Sequence, residues 1–165
     1  MTENTMNSII NEIHYEHVDT VPDDELIREL SLLSQSLFTR KSDLRYFQKL
    51  HFKKFPLVIL ARTLDNTLIA CKIGYAFSDD VFYSWFGGVH PTYRRKGIAQ
   101  CLMDMQHHWC AQHHFTIIRT KTLITNSIMY GVNIHNGFSI IGNDFSNTLK
   151  PKLIYSKILT SHSTT

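Results

Sequence analysis

The strongest constraint on the fold is a change of hydrophobic pattern within residues 81–113. Residues 81–89, VFYSWFGGV, are rich in aromatic and β-branched side chains, which is typical of a strand. From Ile98 onward, apolar side chains recur on one face at helical spacing. These are Ile98, Leu102, Met105 and Trp109. Between the two patterns lie three consecutive cations and a glycine, Arg94–Gly97. The sequence therefore predicts a strand, a short basic turn and a helix in direct succession.

A basic turn at the start of a helix is a suitable site for an anion. The first N–H groups of a helix lack intrahelical acceptors, and the helix dipole adds partial positive charge there. A glycine at this point, Gly97, lets a ligand approach the backbone closely. The turn therefore indicates a phosphate or pyrophosphate ligand. The alternative is a basic surface turn, because short patterns of this kind also occur by chance.

Strand and helix patterns alternate along the whole chain in the order β-α-α-β-β-β-α-β-α-β-β. The predicted strands are 9–18, 55–64, 67–79, 81–89, 115–123, 139–145 and 152–159. The predicted helices are 22–38, 41–52, 98–113 and 126–138. Ser42 or Asp43 is the expected cap of the second helix. Asn126 is the expected cap of the last helix, which Gly137 closes.

This order predicts one α/β domain of the α+β type over residues 1–165, because no linker, repeat or low-complexity block interrupts it. We expect a mixed central sheet of about six to seven strands flanked by about four helices. The ordered core spans residues 9–159, and residues 160–165 form a loose tail.

Charge and composition narrow the classes of partner and compartment. The net charge of +3 is well short of the dense basic stripes of nucleic-acid binders, so we expect no nucleic-acid partner. No apolar run approaches the roughly 20 residues of a membrane span, and we expect no membrane association. The N-terminus does not resemble a signal peptide. Three cysteines without a CxxC pair then favour reduced thiols and a cytoplasmic location.

The basic turn resembles motif A of the GNAT family of N-acetyltransferases. That motif reads Q/R-x-x-G-x-G/A after a strand that ends in V-x-P, and Val89–Pro91 followed by Arg94–Ala99 match both parts. The last helix also resembles the family, whose pattern there is N-x-x-A/M…G-F. The matching residues are Asn126, Met129, Gly137 and Phe138. The predicted order of elements fits the family over nearly the whole chain.

The resemblance implies a binding site for acetyl-CoA as co-substrate. The backbone amides of Arg95–Ala99 would hold the pyrophosphate, and the three cations of the turn would add charge. The Val89 amide would contact the thioester carbonyl, and Gly87–Gly88 suit the strand bulge at which the pantetheine arm enters. Asn126 would bind that arm, serve only as a helix cap, or do both. The implied cofactor-binding residues are Val89, Arg94, Arg95, Lys96, Gly97, Ile98, Ala99, Asn126 and Asn133.

The chain departs from the family at the position of the proton donor. Many members carry a tyrosine seven residues after the Asn126 position, and this chain carries Asn133. An amide donates a hydrogen bond to sulfur but is a very poor acid. Tyr130, one turn earlier on roughly the same side, is the alternative donor, unless it is only a packed helix residue. A third option needs no acid, because a CoA thiolate is a tolerable leaving group.

The general base is also missing from its usual place. Some branches of the family carry a glutamate on the strand before motif A, where this chain has Tyr83. Tyr83 and Trp85 share a strand face, and they either line the acceptor pocket or belong to the core. A water chain, His90 or the first two helices are the other sources of a base. Tyr130 and Tyr83 are therefore the predicted catalytic residues.

The segment QHHWCAQHH has the residue types of a metal site, but we expect no metal. His107, Cys110 and His114 share a helical face in the predicted helix. Ligands on one helix need further partners, and acetyl transfer in this family needs no metal. The simpler interpretation is a solvated polar face.

Two functions follow from these patterns. In the first, the protein transfers the acetyl group of acetyl-CoA to an amine that attacks directly within a ternary complex. In the second, it is a catalytically weak sensor or interaction module that binds acyl-CoA. The acceptor, a small molecule or a peptide or protein amine, carries no recognisable signature in the sequence. Homodimer formation is left open.

Overall fold

The computed structural model describes residues 12–37 and 43–159. The predicted start of the first strand at residues 9–11, the cap candidate Ser42 and the predicted tail 160–165 lie outside these ranges. The chain divides into two compact units, Met1–Tyr75 with Phe86–Gln106 (unit 1) and Ala76–Trp85 with His107–Thr165 (unit 2). Among the helices described, none has the length and apolar character required to cross a bilayer.

Seven strands and four α-helices alternate in the predicted order within the described ranges. The strands are β1 Ile13–Val18, β2 Leu57–Thr63, β3 Leu68–Ala76, β4 Val81–Val89, β5 Ile117–Leu123, β6 Ser139–Asp144 and β7 Lys152–Ile158. The helices are α1 Asp24–Leu37, α2 Leu44–Gln48, α3 Ile98–Gln112 and α4 Ser127–His135. Short 3-10 helices cover Lys49–Phe52 and Pro91–Tyr93. The strand order is β1-β2-β3-β4-β5-β7-β6, with β4 and β5 parallel and β5, β7 and β6 antiparallel. The predicted mixed sheet is thereby confirmed.

Unit 1 is built on the antiparallel strands β1, β2 and β3. Residues 57–62 of β2 are all buried, so both faces of this strand are covered. Helix α1 begins where the Asp23 carboxylate accepts a hydrogen bond of 2.8 Å from the Leu26 N–H. One face of α1 is buried, as its leucine spacing predicts. Helix α2 begins at the predicted cap, Asp43, and contacts β4 through ring packing between Phe47 and Phe86 at 5.0 Å.

A buried arginine ties α1 to the first two strands of unit 1. Arg62 on β2 is 7% exposed. Its Nε lies 2.8 Å from Glu16 Oε1 on β1, and its Nη2 lies 2.6 Å from Glu29 Oε2 on α1. The two carboxylates raise the pKa of Arg62 further above its usual range, with the Glu29 hydrogen bond contributing most. This charge network fixes the helix against the edge of the sheet.

Unit 2 combines the parallel pair β4 and β5 with the antiparallel strands β7 and β6. Phe82 lies at the centre of its core, with ring centroids 5.7 Å from Trp109 and 5.3 Å from Phe115. Helix α4 begins at the predicted cap, where Asn126 Oδ1 accepts from the Met129 N–H at 3.0 Å. After its last turn, Gly137 adopts a φ of +83°, as expected for the residue that closes a helix.

The predicted polar face of α3 is wrong. Cys110 is fully buried, and His107 packs against Phe138 with ring centroids 5.7 Å apart. His114 does not belong to the helix, because α3 ends at Gln112 and His114 has a φ of +65°. No proline or glycine marks this helix end in the sequence, so the helical spacing alone predicts a longer helix.

We expect Arg62→Met to lower the free energy of unfolding by about 1–3 kcal/mol, because two carboxylates lose their partner in a partly buried site. The partial exposure of both carboxylates keeps the loss below that of a fully buried pair. Chemical denaturation measures the change. The matched control is Arg28→Met on the exposed side of α1, with an expected effect within about 0.5 kcal/mol. Equal effects of the two substitutions would show that the network contributes nothing to stability.

Candidate active site

The basic turn predicted from the sequence connects β4 with α3 inside unit 1. The His90 N–H donates to the Ile69 carbonyl at 2.8 Å, which holds the chain beside β3 where β4 ends. The backbone then forms the 3-10 turn Pro91–Tyr93, and His90 Nδ1 accepts from the Thr92 N–H at 3.3 Å. Arg95 and Gly97 both have positive φ values, 61° and 80°. Such alternation turns successive N–H groups toward one side and forms a concave anion site.

Gly97 is the residue immediately before α3. Its carbonyl accepts the first helical hydrogen bond, from the Cys101 N–H at 3.0 Å. The N–H groups of Ile98 and Ala99 belong to the first turn of the helix, where no intrahelical acceptor exists. A β-carbon built on Gly97 would meet no atom within 4 Å. The space beside Gly97 is therefore open, as close approach of a ligand to this backbone requires.

The three cations of the turn differ in their surroundings. The Nε of Arg94 donates to the Val89 carbonyl at 2.9 Å, so this side chain folds back onto the end of β4. Lys96 Nζ lies 5.3 Å from the centre of the Tyr93 ring. Arg95 is exposed. In the described ranges, none of the ion pairs includes one of these three residues. The turn thus keeps uncompensated positive charge, which fits an anionic ligand such as a pyrophosphate.

The end of β4 is shaped by close packing in unit 1. Val89, the predicted partner of the thioester carbonyl, is buried. A β-carbon on Gly88 would lie 2.6 Å from Leu37 Cδ1, and one on Gly87 would lie 3.3 Å from the Cys71 carbonyl oxygen. The side chain of Leu37, the last residue of α1, therefore lies against the strand at Gly88. The predicted bulge at these glycines stays a prediction.

Helix α4 of unit 2 carries the predicted pantetheine contact and the alternative proton donors. Asn126 is exposed, and its side-chain oxygen accepts the hydrogen bond of the helix cap, while its amide nitrogen is a donor suited to a ligand. Asn133 is 1% exposed, and its Nδ2 donates to Thr122 Oγ1 on β5 at 3.2 Å. Tyr130 is 47% exposed. The two candidate donors therefore lie in different environments, and the contact of Asn133 with the cofactor stays a prediction.

The predicted base position, Tyr83, lies on β4 within unit 2 and is half-buried, as is Trp85. Burial raises the pKa of Tyr83, and the Asp144 carboxylate adds to the effect. The phenol is thus held protonated and is a hydrogen-bond donor near neutral pH rather than a base. The nearby Asp144 is a weak base, because Lys121 and Ser146 lower the pKa of its carboxyl far below the usual range.

The charged residues that lie beside Tyr83 were not predicted from the sequence. Arg119 on β5 is in register with Tyr83, and Lys121 Nζ lies 2.7 Å from Asp144 Oδ2. The alternation of β5 would have placed Arg119 and Lys121 on one face, but the partner strand could not be read from the sequence. Within the described ranges, no group of three or more His, Cys, Asp or Glu side chains is arranged to hold a metal ion.

The turn at the start of α3 and its surplus of positive charge thus form a candidate anion-binding site in an α+β fold. A family model described as acetyltransferase (GNAT) family matches residues 24–132 of the 165. The chain therefore belongs to the GNAT acetyltransferase family. It is an N-acetyltransferase that uses acetyl-CoA, and family members acetylate amine acceptors. The family membership that motif A indicated is thereby confirmed.

Solved structures agree with this fold. Ard1 from Thermoplasma volcanium is 14% identical, with a TM-score of 0.75 over 88% of this chain and 98% of that chain. The ribosomal-protein-S18-alanine N-acetyltransferase from Escherichia coli is 12% identical, with a TM-score of 0.75 over 89% and 95%. PaiA N-acetyltransferase from Thermoplasma acidophilum, in complex with coenzyme A, is 14% identical, with a TM-score of 0.70 over 88% and 99%. A comparison with curated protein sequences finds no significant match.

Gly97→Val is expected to weaken acetyl-CoA binding at least about tenfold, because the added side chain enters the space from which an anion approaches the helix start. Isothermal calorimetry measures the affinity. The matched control is Gly137→Val, which imposes a similar backbone strain at a φ of +83° but lies at the end of α4. Equal losses in the two variants would assign the effect to strain, and unchanged affinity in both would remove the turn from the binding site.

Proposed function

We propose that acetyl-CoA binds with its pyrophosphate at the basic turn and that an acceptor amine attacks the thioester directly. The observation that carries this proposal is the open start of α3 at Gly97, together with the three cations that lack an ion-pair partner in the described ranges. The backbone amides of Arg95–Ala99 hold the pyrophosphate. Arg95 and Lys96 supply attraction, and Arg94 holds the turn through its bond to Val89. The Val89 amide is the proposed partner of the thioester carbonyl.

The chemical step exchanges one bond to the acetyl carbon for another. The neutral amine nitrogen attacks the carbonyl carbon, a C–N bond forms, and the C–S bond breaks. The amine loses a proton and the CoA thiolate gains one. We assign the base to an ordered water, because Tyr83 is held protonated and Asp144 is a weak base.

Tyr130 is the proposed donor to the thiolate. Its side chain is accessible, whereas Asn133 is buried and bonded to Thr122. A phenol is protonated near neutral pH and transfers a proton to sulfur far more readily than an amide does. Asn133 then contributes by positioning: its bond to β5 fixes α4, which carries Tyr130 and the Asn126 amide.

Location and metal independence complete the proposal. All three cysteines are free thiols, and two of them are buried, which fits a reducing cytoplasm. No step of the transfer requires a metal ion. Homodimer formation is compatible with this scheme and is not required by it.

The decisive experiment is release of CoA thiol from acetyl-CoA with a panel of amines that includes small amines, free amino acids and peptide N-termini. We expect steady-state turnover with at least one class of acceptor. Acetyl-CoA binding without turnover on any amine would favour the alternative, a sensor or interaction module that keeps the binding site. The absence of both binding and turnover would contradict the proposed site.

Tyr130→Phe tests the proton donor. We expect the turnover number to fall by about 10²-fold while acetyl-CoA affinity changes little, because the substitution removes only the proton that general acid catalysis needs. Tyr15→Phe is the matched control, since it removes a tyrosine hydroxyl on β1 of unit 1. A Tyr130→Phe enzyme that works at the unmodified rate would leave water, or no acid, as the donor.

A further inference from the structure

The sheet ends in unit 2 at β6, an edge strand. β6 is the last strand in the sheet order, and within the described ranges it pairs only with β7. The backbone N–H and C=O groups along its outer side therefore have no neighbouring strand among the described residues. An open edge of this kind is a template for a further strand, because an added strand satisfies these groups.

β6 lacks the charge that protects the other edge strand. On β1, the Glu16 carboxylate forms an ion pair with Arg62. Charged side chains on an edge strand oppose pairing with a further strand. β6 reads SIIGND over Ser139–Asp144, and its one charged residue, Asp144, lies at the end of the strand and is bonded to Lys121 at 2.7 Å. Residues 139–143 are uncharged, so most of this edge is unprotected.

Isoleucine side chains are exposed on both faces of this edge. Ile140 is 43% exposed, and its register with Tyr155 on β7 places it on the same face as that residue. Ile158, three residues after Tyr155, lies on the opposite face and is 75% exposed. No residue of β6 is in register with Ile158. A strand added at this edge would therefore be covered by apolar side chains on both of its faces.

A bulge limits the length of ladder that β6 offers. Ile140 is opposite Tyr155 and Gly142 is opposite Ile154, so Ile141 is an extra residue between the two pairs. Ile141 is exposed as well. A bulge raises the local twist and shortens the stretch that pairs with a partner. Packing against the isoleucines must then supply much of the contact. We call Ile140, Ile141, Ile158 and the backbone of β6 the β6 edge.

We propose that the β6 edge is a contact surface for a second copy of this chain, in which the two β6 strands pair antiparallel about a two-fold axis. Each copy then offers the same surface, and the isoleucines of one copy pack against those of the other. The uncharged stretch 139–143 lets identical strands face each other without repulsion between like charges. The proposed acetyl transfer does not require this contact, so failure of either one leaves the other intact.

The size of the surface predicts a weak dimer. One edge strand and three isoleucines offer less than the roughly 800 Å² per partner of a standard interface. The remaining charges lie at the far end of the edge, where Asp144 is opposite Lys152 and the two charges have opposite signs. We therefore expect a dimer whose formation depends on protein concentration and little on ionic strength.

Sedimentation velocity of the full chain over a range of protein concentrations tests the contact. We expect the dimer fraction to rise with concentration and to persist at high salt, because the surface is apolar and uncharged. A monomer at every concentration overturns the inference, and so does a dimer that dissociates in salt. Association beyond two copies overturns the two-fold geometry, since such a contact closes at the dimer.

Ile140→Lys assigns the dimer to the β6 edge. A lysine on an edge strand opposes pairing, so we expect the dissociation constant to rise at least about tenfold. Leu149→Lys is the matched control, because it makes the same kind of change at a 92% exposed residue between β6 and β7. Equal effects of the two substitutions overturn the assignment. If Ile140→Lys does not fold, Ile158→Lys replaces it, and an unchanged dissociation constant there overturns the inference.

Discussion

The hydrogen bond from the Arg94 guanidinium to the Val89 carbonyl restrains the turn on which the proposed binding site depends. Val89 ends a strand, and α3 begins nine residues later at Ile98. A connection of this length has many conformations, and each would orient the helix start differently. The bond to Val89, with that from the His90 N–H to Ile69, restrains the turn from the side of the sheet. Arg95 and Gly97 have positive φ values, a backbone conformation typical of turns that bind anions through their N–H groups.

The two units use buried polar groups for different purposes. In unit 1, Arg62 is fully engaged with Glu16 and Glu29, and it orders α1. In unit 2, Asn133 is engaged with Thr122 and orders α4, whereas the buried Nε of Arg119 has no acceptor in the described part of the chain. A satisfied buried group stabilises the fold, and an unsatisfied one carries a cost that a ligand can remove. Arg62 and Asn133 are therefore polar groups that stabilise the fold, whereas Arg119 has the character of a group that binds a ligand.

Much of the fold could be predicted because its signals are local. The hydrophobic period distinguishes β4 from α3, and caps such as Asn126 mark where a helix begins. The end of α3 at Gln112 could not be placed, because the following histidines carry no stop signal and His114 adopts its positive φ through tertiary context. Motif A was recognisable because a tight turn needs a glycine at a particular position. Arg119 was not, because its meaning depends on Tyr83, a partner distant in sequence.

The role of Asn133, which stands where many family members have a tyrosine, also depends on tertiary contacts that the sequence does not show. In the sequence, Asn133 shows only that the proton-donating tyrosine of the family is missing from this position. In the structure it is a buried amide that donates a hydrogen bond to Thr122 on β5. The short side chain and its buried partner hold α4 in place, and the exposed phenol of Tyr130 lies one turn away on the same helix. In the proposed mechanism, positioning and proton donation, which one residue can combine, are divided between two. The proposed acid, Tyr130, is less desolvated than a buried tyrosine would be, and its contribution depends on how closely the bound thioester excludes water from it.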